Sequence, residues 1–169
     1  NKSFSHAYMF FGPRGVGKTT ASKIFARSIN CLEPVDGNAC GKCKNCLHSF
    51  EKECVDIIEI DAASNNGVDE IRELKNKISL VPAELQYKVY IIDEVHMLSL
   101  GAFNALLKTL EEPPAHAIFI LATTEKHKIL PTILSRCQIY DFNRMKVGDT
   151  VEHLKYIADS ERCEYADIS

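Results

Sequence analysis

No apolar run in this 169-residue sequence approaches the roughly 18 residues that indicate a membrane-spanning helix. The opening residues, NKSFSHAYMFFGPRG, also lack the basic stretch and long apolar core of a secretory signal. These absences argue against a membrane or secreted protein, and we expect a cytoplasmic chain. The sequence has no initiator methionine and a strand pattern begins near Ala7, so we expect a piece of a longer protein.

An excess of basic residues is also missing. Lys and Arg number 20 against 23 Asp and Glu, which gives a net charge of -3. The chain as a whole lacks the positive charge of a nucleic-acid-binding protein, although one local face could still contact DNA. Seven cysteines, an odd number without a secretory signal, argue against a disulfide framework and favour a reducing compartment.

No internal repeat or low-complexity tract interrupts an alternation of strand and helix patterns. Apolar runs predict five strands, at 7–11, 55–61, 88–93, 117–124 and 137–142. Helical spacing of apolar residues predicts four helices, at 18–30, 68–80, 101–112 and 149–161, the last with Asp149 as its N-cap. The alternation predicts an α/β fold with a mostly parallel sheet, which binds ligands at the carboxyl ends of its strands.

A glycine-rich segment joins the first predicted strand to the first predicted helix. Residues 12–19, GPRGVGKT, match the pattern G-x-x-x-x-G-K-[ST] in full. Backbone N–H groups of such a loop surround phosphate oxygens, Lys18 adds a full charge, and the Thr19 hydroxyl can join the Mg²⁺ shell. The alternative, a glycine-rich turn with an incidental lysine, is disfavoured by the flanking strand and helix. The expected phosphate-binding residues are Gly12, Pro13, Arg14, Gly15, Val16, Gly17, Lys18, Thr19 and Thr20.

Two adjacent carboxylates end the third predicted strand. In a strand buried on both faces, a charge is costly unless it is paired or bound to a metal. Asp93 suits a Mg²⁺ ligand, and Glu94 suits a general base that activates the attacking water. The alternative is a strand-to-helix turn with an acidic N-cap pair, which the phosphate loop upstream makes the weaker interpretation. For His96 we expect a partly buried structural role rather than a catalytic one.

Four cysteines lie close together after the first predicted helix. Cys31, Cys40, Cys43 and Cys46 can converge on one tetrahedral ion, because the last three form overlapping C-x-x-C pairs. Four thiolates leave no position open for water, so we expect a structural Zn²⁺ site in an insertion at about 31–46. A loop of reduced thiols and a redox C-x-x-C pair are the alternatives, and each explains less of the cluster.

These segments, with DIIEIDAASNNGVDEIRE, VYIIDEVHMLSLGAFNALLKTLEEPP, ILATTE and ILSRCQIYDF, closely resemble the gamma/tau clamp-loader subunits of bacterial DNA polymerase III, which are AAA+ ATPases. The resemblance runs from about Ala7 to Phe142. It implies an AAA+ P-loop fold with a five-stranded sheet in the order 5-1-4-3-2. It also implies a nucleotide-binding domain at 1–145 and the start of a helical lid domain at 146–169.

The resemblance further implies roles for single residues. Lys18 and Thr19 would hold ATP and Mg²⁺ with Asp93, and Glu94 would be the catalytic base. Thr124 would sense the γ-phosphate, with Thr123 as the second choice. Arg136, in the Ser-Arg-Cys triplet at 135–137, would reach in trans into the ATP site of the neighbouring subunit.

Partners follow from the same resemblance. Clamp loaders are hetero-pentamers of delta, delta-prime and gamma/tau copies that open the sliding clamp and close it around primed DNA, as part of the holoenzyme. DNA would be held through its phosphate backbone, and Ser64, Asn65 and Asn66 are candidates, with helix capping as the alternative. Clamp contact would involve the 101–112 region, although its apolar positions are more simply explained as core. We expect no membrane partner and a nucleoid-associated location in the bacterial cytoplasm.

Three other classes share part of this pattern. Another AAA+ DNA-processing motor would carry the phosphate loop and acidic pair but has no need of the cysteine insertion. A catalytically silent delta-prime-type subunit is disfavoured by the intact Gly17-Lys18-Thr19. A zinc-dependent nucleic-acid-binding module is disfavoured by the net acidity and by the full set of ATPase motifs.

Overall fold

A computed structural model describes residues 4–50, 54–65, 67 and 78–161 of the chain. Five strands alternate with helices along these residues. In chain order they are β1 (Ala7–Phe11), α1 (Lys18–Asn30), α2 (Lys44–Ser49), β2 (Ile57–Asp61), β3 (Lys88–Asp93), α3 (Leu100–Glu111), β4 (Ala117–Thr123), α4 (Pro131–Leu134), β5 (Gln138–Asp141) and α5 (Val147–Ser160). Two 3₁₀ turns, Val95–Met97 and Lys126–Lys128, follow β3 and β4. Across the described ranges, no helix has the length and apolar character needed to cross a membrane.

The five strands form one parallel sheet in the order β2-β3-β4-β1-β5. This is the predicted order 5-1-4-3-2, and the predicted α/β class is confirmed. Because β1 lies between β4 and β5, the loop after β1 opens beside the end of the central strand, β4, at the edge formed by the strand carboxyl ends. Every residue of β4 is buried, as expected for a strand covered on both faces.

Helices cover the two faces of the sheet. The apolar stripe of α3 packs on one face, where Phe103 and Leu106 meet a core that includes Tyr90 and Phe119, whose rings stack with centroids 5.4 Å apart. On the other face, α1 packs through its buried positions, chiefly Ile29, against residues of β1, β3 and β4. The two helices therefore hold the sheet from both sides and fix the direction in which the strand ends point.

Most predicted boundaries agree with the structure. The bounds of β1, β3 and α1 are those predicted, and the other strands and α3 differ by one or two residues. The N-cap prediction for Asp149 is wrong: α5 begins earlier, Lys146 is its N-cap, and Asp149 lies in the first turn, near the positive end of the helix. The predicted helix at 68–80 lies mostly outside the described residues, and the domain boundary near 146 stays a prediction.

One fully buried carboxylate lies just before β2. Asp56 accepts hydrogen bonds from three backbone N–H groups, those of Ala83 (2.9 Å), Glu84 (2.8 Å) and Leu85 (3.0 Å). Burial alone would raise the pKa of this carboxyl, but the three donors and the charge of Lys88 outweigh burial and lower the pKa. Asp56 thus joins the start of β2 to the loop that leads into β3.

Replacing Asp56 with asparagine is expected to lower the free energy of unfolding by about 2–3 kcal/mol, because the amide cannot accept from all three donors. The contribution of Asp56 is present above the ordinary carboxyl pKa of about 3.9. It is lost as pH falls through the lower, folded-state pKa. Urea denaturation followed by circular dichroism measures both effects. As a control, Glu59→Gln neutralises an exposed carboxylate paired with Lys23, and should cost under about 1 kcal/mol; equal losses in the two variants would contradict this role for Asp56.

Candidate functional site

The phosphate loop connects β1 to α1 and is shaped by two of its glycines. Gly17, at the N-cap of α1, has a φ of 87°, in the left-handed region that favours glycine. At Gly12 a β-carbon would collide with the backbone carbonyl of Phe142. The N–H of Gly12 also donates to the carbonyl oxygen of Thr123 at 3.2 Å, which ties the loop to the end of β4.

The first two residues of α1 carry the polar groups of the loop. Lys18 is buried, and its ammonium donates to the carbonyl oxygens of Gly12 (2.9 Å) and Pro13 (2.8 Å). The Thr19 hydroxyl donates to Oδ2 of Asp93 at 2.5 Å. The structure therefore brings together residues that are 74 positions apart in the chain, one from the loop and one from the end of β3.

The acidic pair bends sharply at the end of β3. Oδ1 of Asp93 accepts from the N–H of Glu94 at 2.9 Å, and Glu94 has a φ of 47°. A positive φ is uncommon for a residue other than glycine, and such conformations cluster at functional sites. Oε2 of Glu94 accepts from the Thr124 hydroxyl at 3.2 Å. Adjacent carboxylates are thus engaged by different partners, one by the phosphate loop and one by the residue after β4.

A cleft of about 470 Å³ lies at this edge of the sheet. It is lined by Arg14, Gly15, Gly17, Lys18, Thr19, Thr20, Asp61, Asp93 and Glu94. Thr19 and Asp93 present oxygen ligands side by side, which is the donor type that Mg²⁺ prefers. Sequence reasoning missed Asp61, although its position at the end of β2 was a usable signal, since the carboxyl ends of parallel strands share one edge.

Thr123, the last residue of β4, and Thr124, which follows it, have different surroundings. Thr123 is fully buried, and its hydroxyl oxygen lies 2.9 Å from Nδ1 of His96. Thr124 is partly exposed and donates to Glu94. The His96 side chain is only 6% exposed and also lies 3.4 Å from a carboxylate oxygen of each neighbouring acid, Glu94 and Glu125.

Arg136 lies away from this cleft, in the corner between α4 and β5. Its guanidinium donates to the carbonyl oxygen of Thr132 at 2.7 Å and to Oε1 of Glu111 at 3.0 Å. The side chain is 35% exposed, and it is not among the described residues that line the cleft of its own chain. Both nitrogens are held at the surface, where another chain could reach them.

The four clustered cysteines converge in space. Their sulfurs all lie within 4.8 Å of one another, and two pairs, Cys31 with Cys43 and Cys40 with Cys46, are each 3.9 Å apart. Zn–S bonds of about 2.3 Å in a tetrahedron place sulfurs roughly 3.8 Å apart. The cluster therefore has the dimensions of a Cys₄ metal site.

Backbone N–H groups point at the cluster. The N–H of Cys40 donates to Sγ of Cys31, and those of Cys43 and Cys46 donate to Sγ three residues earlier, at 3.3–3.4 Å. Hydrogen bonds from the N–H groups of Leu32 and Cys46 lower the pKa of the Cys43 thiol to about 6. Burial raises the pKa of the Cys46 thiol to about 12. The donors favour thiolates at the exposed side of the cluster, whereas the buried Cys46 would need a cation beside it to ionise.

The candidate DNA and clamp positions are partly described. Ser64 donates through its hydroxyl to Asp61 at 2.8 Å, and the Asn65 side-chain amide donates to the Asp61 carbonyl at 3.0 Å, so both side chains hold the turn after β2. Asn66 lies outside the described residues. In α3 the apolar stripe is core, whereas Leu100 and the preceding Met97 are exposed.

Comparison with known proteins identifies the family. A family model described as DNA polymerase III, delta subunit, matches residues 1–146. The DNA polymerase III subunit tau of Bacillus subtilis (strain 168) is 59% identical over 164 residues, which are 96% of this chain and 29% of that protein. The Escherichia coli K12 subunit tau is 47% identical over 156 residues, or 92% of this chain and 24% of that protein. The chain thus spans less than a third of these relatives.

A solved structure agrees with these relatives. The crystal structure of a DNA polymerase III gamma subunit-related protein from Thermotoga maritima matches with a TM-score of 0.63 and 26% identity, over 92% of this chain and 50% of that one. The five-stranded parallel sheet with flanking helices gives this chain an α/β fold, with which the Thermotoga maritima structure agrees. The chain belongs to the DNA polymerase III subunit family, among its gamma/tau members.

Proposed function

We propose that this chain is the ATPase core of a clamp-loader motor subunit, which uses ATP binding and hydrolysis to open the sliding clamp and load it on primed DNA. One observation carries the proposal: the hydrogen bonds from Thr19 to Asp93 and from Thr124 to Glu94 join three separate segments of the chain at the two carboxylates that line the cleft. Because this chain belongs to the gamma/tau members of its family, a cleft with these groups is suited to bind a nucleoside triphosphate and to hydrolyse it.

The chemistry divides among the residues of the cleft. Backbone N–H groups of the phosphate loop and the Lys18 ammonium bind the β- and γ-phosphates, as the positive end of α1 faces the same point. Thr19 and Asp93 would hold Mg²⁺, which when bound neutralises charge on the phosphate oxygens. Glu94 accepts a proton from the attacking water, and Thr124 orients the Glu94 carboxylate. Arg136 acts in trans, on the triphosphate of the neighbouring subunit.

Reconstitution tests this function directly. The full-length protein, assembled with delta and delta-prime subunits, is expected to load the sliding clamp on primed DNA only when ATP is supplied. Lys18→Ala should abolish loading, because the phosphates lose their principal cationic ligand. Clamp loading that proceeds without ATP, or that survives Lys18→Ala, would contradict the proposal.

The same experiment separates the alternatives. A silent delta-prime-type subunit would support loading without hydrolysing ATP in its own cleft. The matching family model is described as a delta subunit, so this alternative needs its own test. Lys18, Thr19 and Asp93 argue against it, since a silent subunit has no need of the complete set. A zinc-dependent nucleic-acid-binding module would bind DNA without any dependence on ATP.

The proposal also covers the other clamp-loader subunits, DNA and the sliding clamp as partners of this chain. Further gamma/tau copies and the delta and delta-prime subunits would form the hetero-pentamer, in the cytoplasm and at the nucleoid. DNA would be held through its phosphates by the turn that Ser64 and Asn65 shape after β2. The exposed Met97 and Leu100, beside α3, are candidates for contact with the clamp.

The cysteine cluster is proposed to hold one structural Zn²⁺ ion. The sulfur spacing and the N–H···S bonds fit that ion, and a closed Cys₄ shell leaves no position for a reacting water. Lys42 and Lys44, next to Cys43, help to offset the net charge of -2 that four thiolates and Zn²⁺ carry. The site would stabilise the connection between α1 and β2 rather than take part in hydrolysis.

Changing Cys43 to serine is expected to reduce bound zinc from about one ion per chain to near zero, because three sulfurs hold the metal poorly. Elemental analysis of the purified protein measures this, and the thermal midpoint should fall with the zinc content. Cys54→Ser is the matched control, since Cys54 is a free cysteine outside the cluster, and it should keep its zinc. Freshly purified wild-type protein without zinc would overturn the assignment.

A further inference from the structure

His96 belongs to a closed ring of polar contacts behind the cleft. Its Nδ1 lies 2.9 Å from the hydroxyl oxygen of Thr123, and its Nε2 lies 3.4 Å from Oε1 of Glu125. The backbone N–H of Glu125 donates to the same Thr123 hydroxyl oxygen at 3.0 Å. The ring therefore joins the 3₁₀ turn after β3 to the end of β4.

The surroundings of the ring hold the imidazole in one orientation. Glu125 is ionised, since the hydrogen bond from Lys128 lowers its pKa, and a carboxylate can only accept, so Nε2 of His96 faces an acceptor. Nδ1 faces the Thr123 hydroxyl, which also accepts from the Glu125 N–H. The His96 side chain is only 6% exposed, so these contacts are shielded from water.

This orientation matters for the acidic pair. Oε2 of Glu94 lies 3.4 Å from the same Nδ1, so His96 lies beside the carboxylate of the proposed base. The hydroxyl of Thr124 donates to Oε2 at 3.2 Å and orients that carboxylate. His96 therefore contacts both the last residue of β4 and the carboxylate that Thr124 orients.

We propose that His96 is a positioning residue for ATP hydrolysis, which holds Thr123 on the far side of β4 so that Thr124 faces Glu94. Neighbouring side chains of a strand point to opposite faces, so fixing Thr123 also fixes Thr124. Because His96 acts through Glu94 and Thr124, the inference rests on the proposed function. It assigns a role in orientation to a residue whose sequence position suggested only a structural histidine.

Steady-state kinetics of the reconstituted loader test the inference. His96→Leu is expected to lower kcat for ATP by about 10–100-fold, with KM unchanged, because the base is misplaced while the phosphate ligands stay in place. His96→Asn should restore kcat to within about threefold of wild type, since its carboxamide can hydrogen-bond to the Thr123 hydroxyl in the place of Nδ1. Thr123→Val should reproduce the loss. Combined with His96→Leu, it should add little further loss, because both changes break one contact.

A second histidine supplies the matched control. His116 is partly buried and lies 3.0 Å from the carbonyl oxygen of Ile78, outside the cleft, and His116→Leu should leave kcat within about twofold of wild type. If His96→Leu fails to fold, Thr123→Val and His96→Asn still test the ring.

The outcomes separate the two proposals. A wild-type loader that does not hydrolyse ATP overturns the proposed function and the role of His96 with it. A wild-type loader that hydrolyses ATP, combined with an unchanged kcat in His96→Leu or Thr123→Val, overturns only the role of His96. Failure of His96→Asn to recover activity would contradict it as well.

Discussion

Arg136→Ala is expected to lower ATP turnover of the assembled loader by about 10³–10⁵-fold, while each subunit still binds ATP. The guanidinium lies outside the cleft of its own chain and is held at the surface by Thr132 and Glu111. An arginine held there can stabilise transition-state charge on a triphosphate bound by a neighbour, but it contributes nothing to its own nucleotide site. The effect should therefore appear in kcat and require assembly.

Two measurements distinguish this role from a structural one. Nucleotide affinity, measured by fluorescence titration, should be the same in Arg136→Ala and wild type, and DNA-stimulated hydrolysis should differ. Arg144→Ala removes another exposed arginine nearby in the chain and should leave turnover unchanged. If the assembly that carries Arg136→Ala turned over ATP as fast as wild type, Arg136 could not be the residue that acts in the neighbouring subunit's ATP site.

Glu94→Gln is expected to reduce turnover by about 10²–10⁴-fold with little change in ATP binding. Glutamine has nearly the same shape and can still accept from Thr124, but it cannot take a proton from water. Lys18→Ala, by contrast, should weaken binding itself, so the two variants separate chemistry from affinity.

Single-turnover hydrolysis in the reconstituted loader measures the Glu94 effect, since it isolates the chemical step from product release. Glu112→Gln neutralises a carboxylate exposed just after α3 and serves as the control, with turnover expected to match wild type. If Glu94→Gln retained more than about a tenth of wild-type turnover, another group would have to be the base.

The sheet and the phosphate loop could be predicted because their signals are local. Strands β3 and β4 are continuous apolar runs, and the loop is a short pattern between a strand and a helix. The strand order, in contrast, came from the resemblance alone, since periodicity does not say which strands pair. Within the cleft, Thr19 and Asp93 were both predicted as Mg²⁺ ligands, and the fold adds the direct 2.5 Å contact between them.

The features that were missed depend on contacts between distant residues. Asp56 was assigned to a predicted strand, yet its donors lie 27–29 positions further along the chain. Helix α2 is too short to show apolar periodicity, and it begins where the sulfur of Cys43 accepts from the N–H of Cys46. The spacing of the cysteines predicted that they lie together, but the N-cap role of Cys43 in α2 is visible only in the structure.

The pairing of β1 with β4 sets Phe11 opposite Thr123, and the next N–H, that of Gly12, bonds to the Thr123 carbonyl. Since side chains alternate along a strand, one residue inserted within β4 would exchange the threonines, turning a buried partner of His96 toward Glu94. Surface loops of this chain can change length with little cost, but β4 cannot change by a single residue. The register of β4 against β1 therefore decides which of the two hydroxyls reaches Glu94 and which reaches His96.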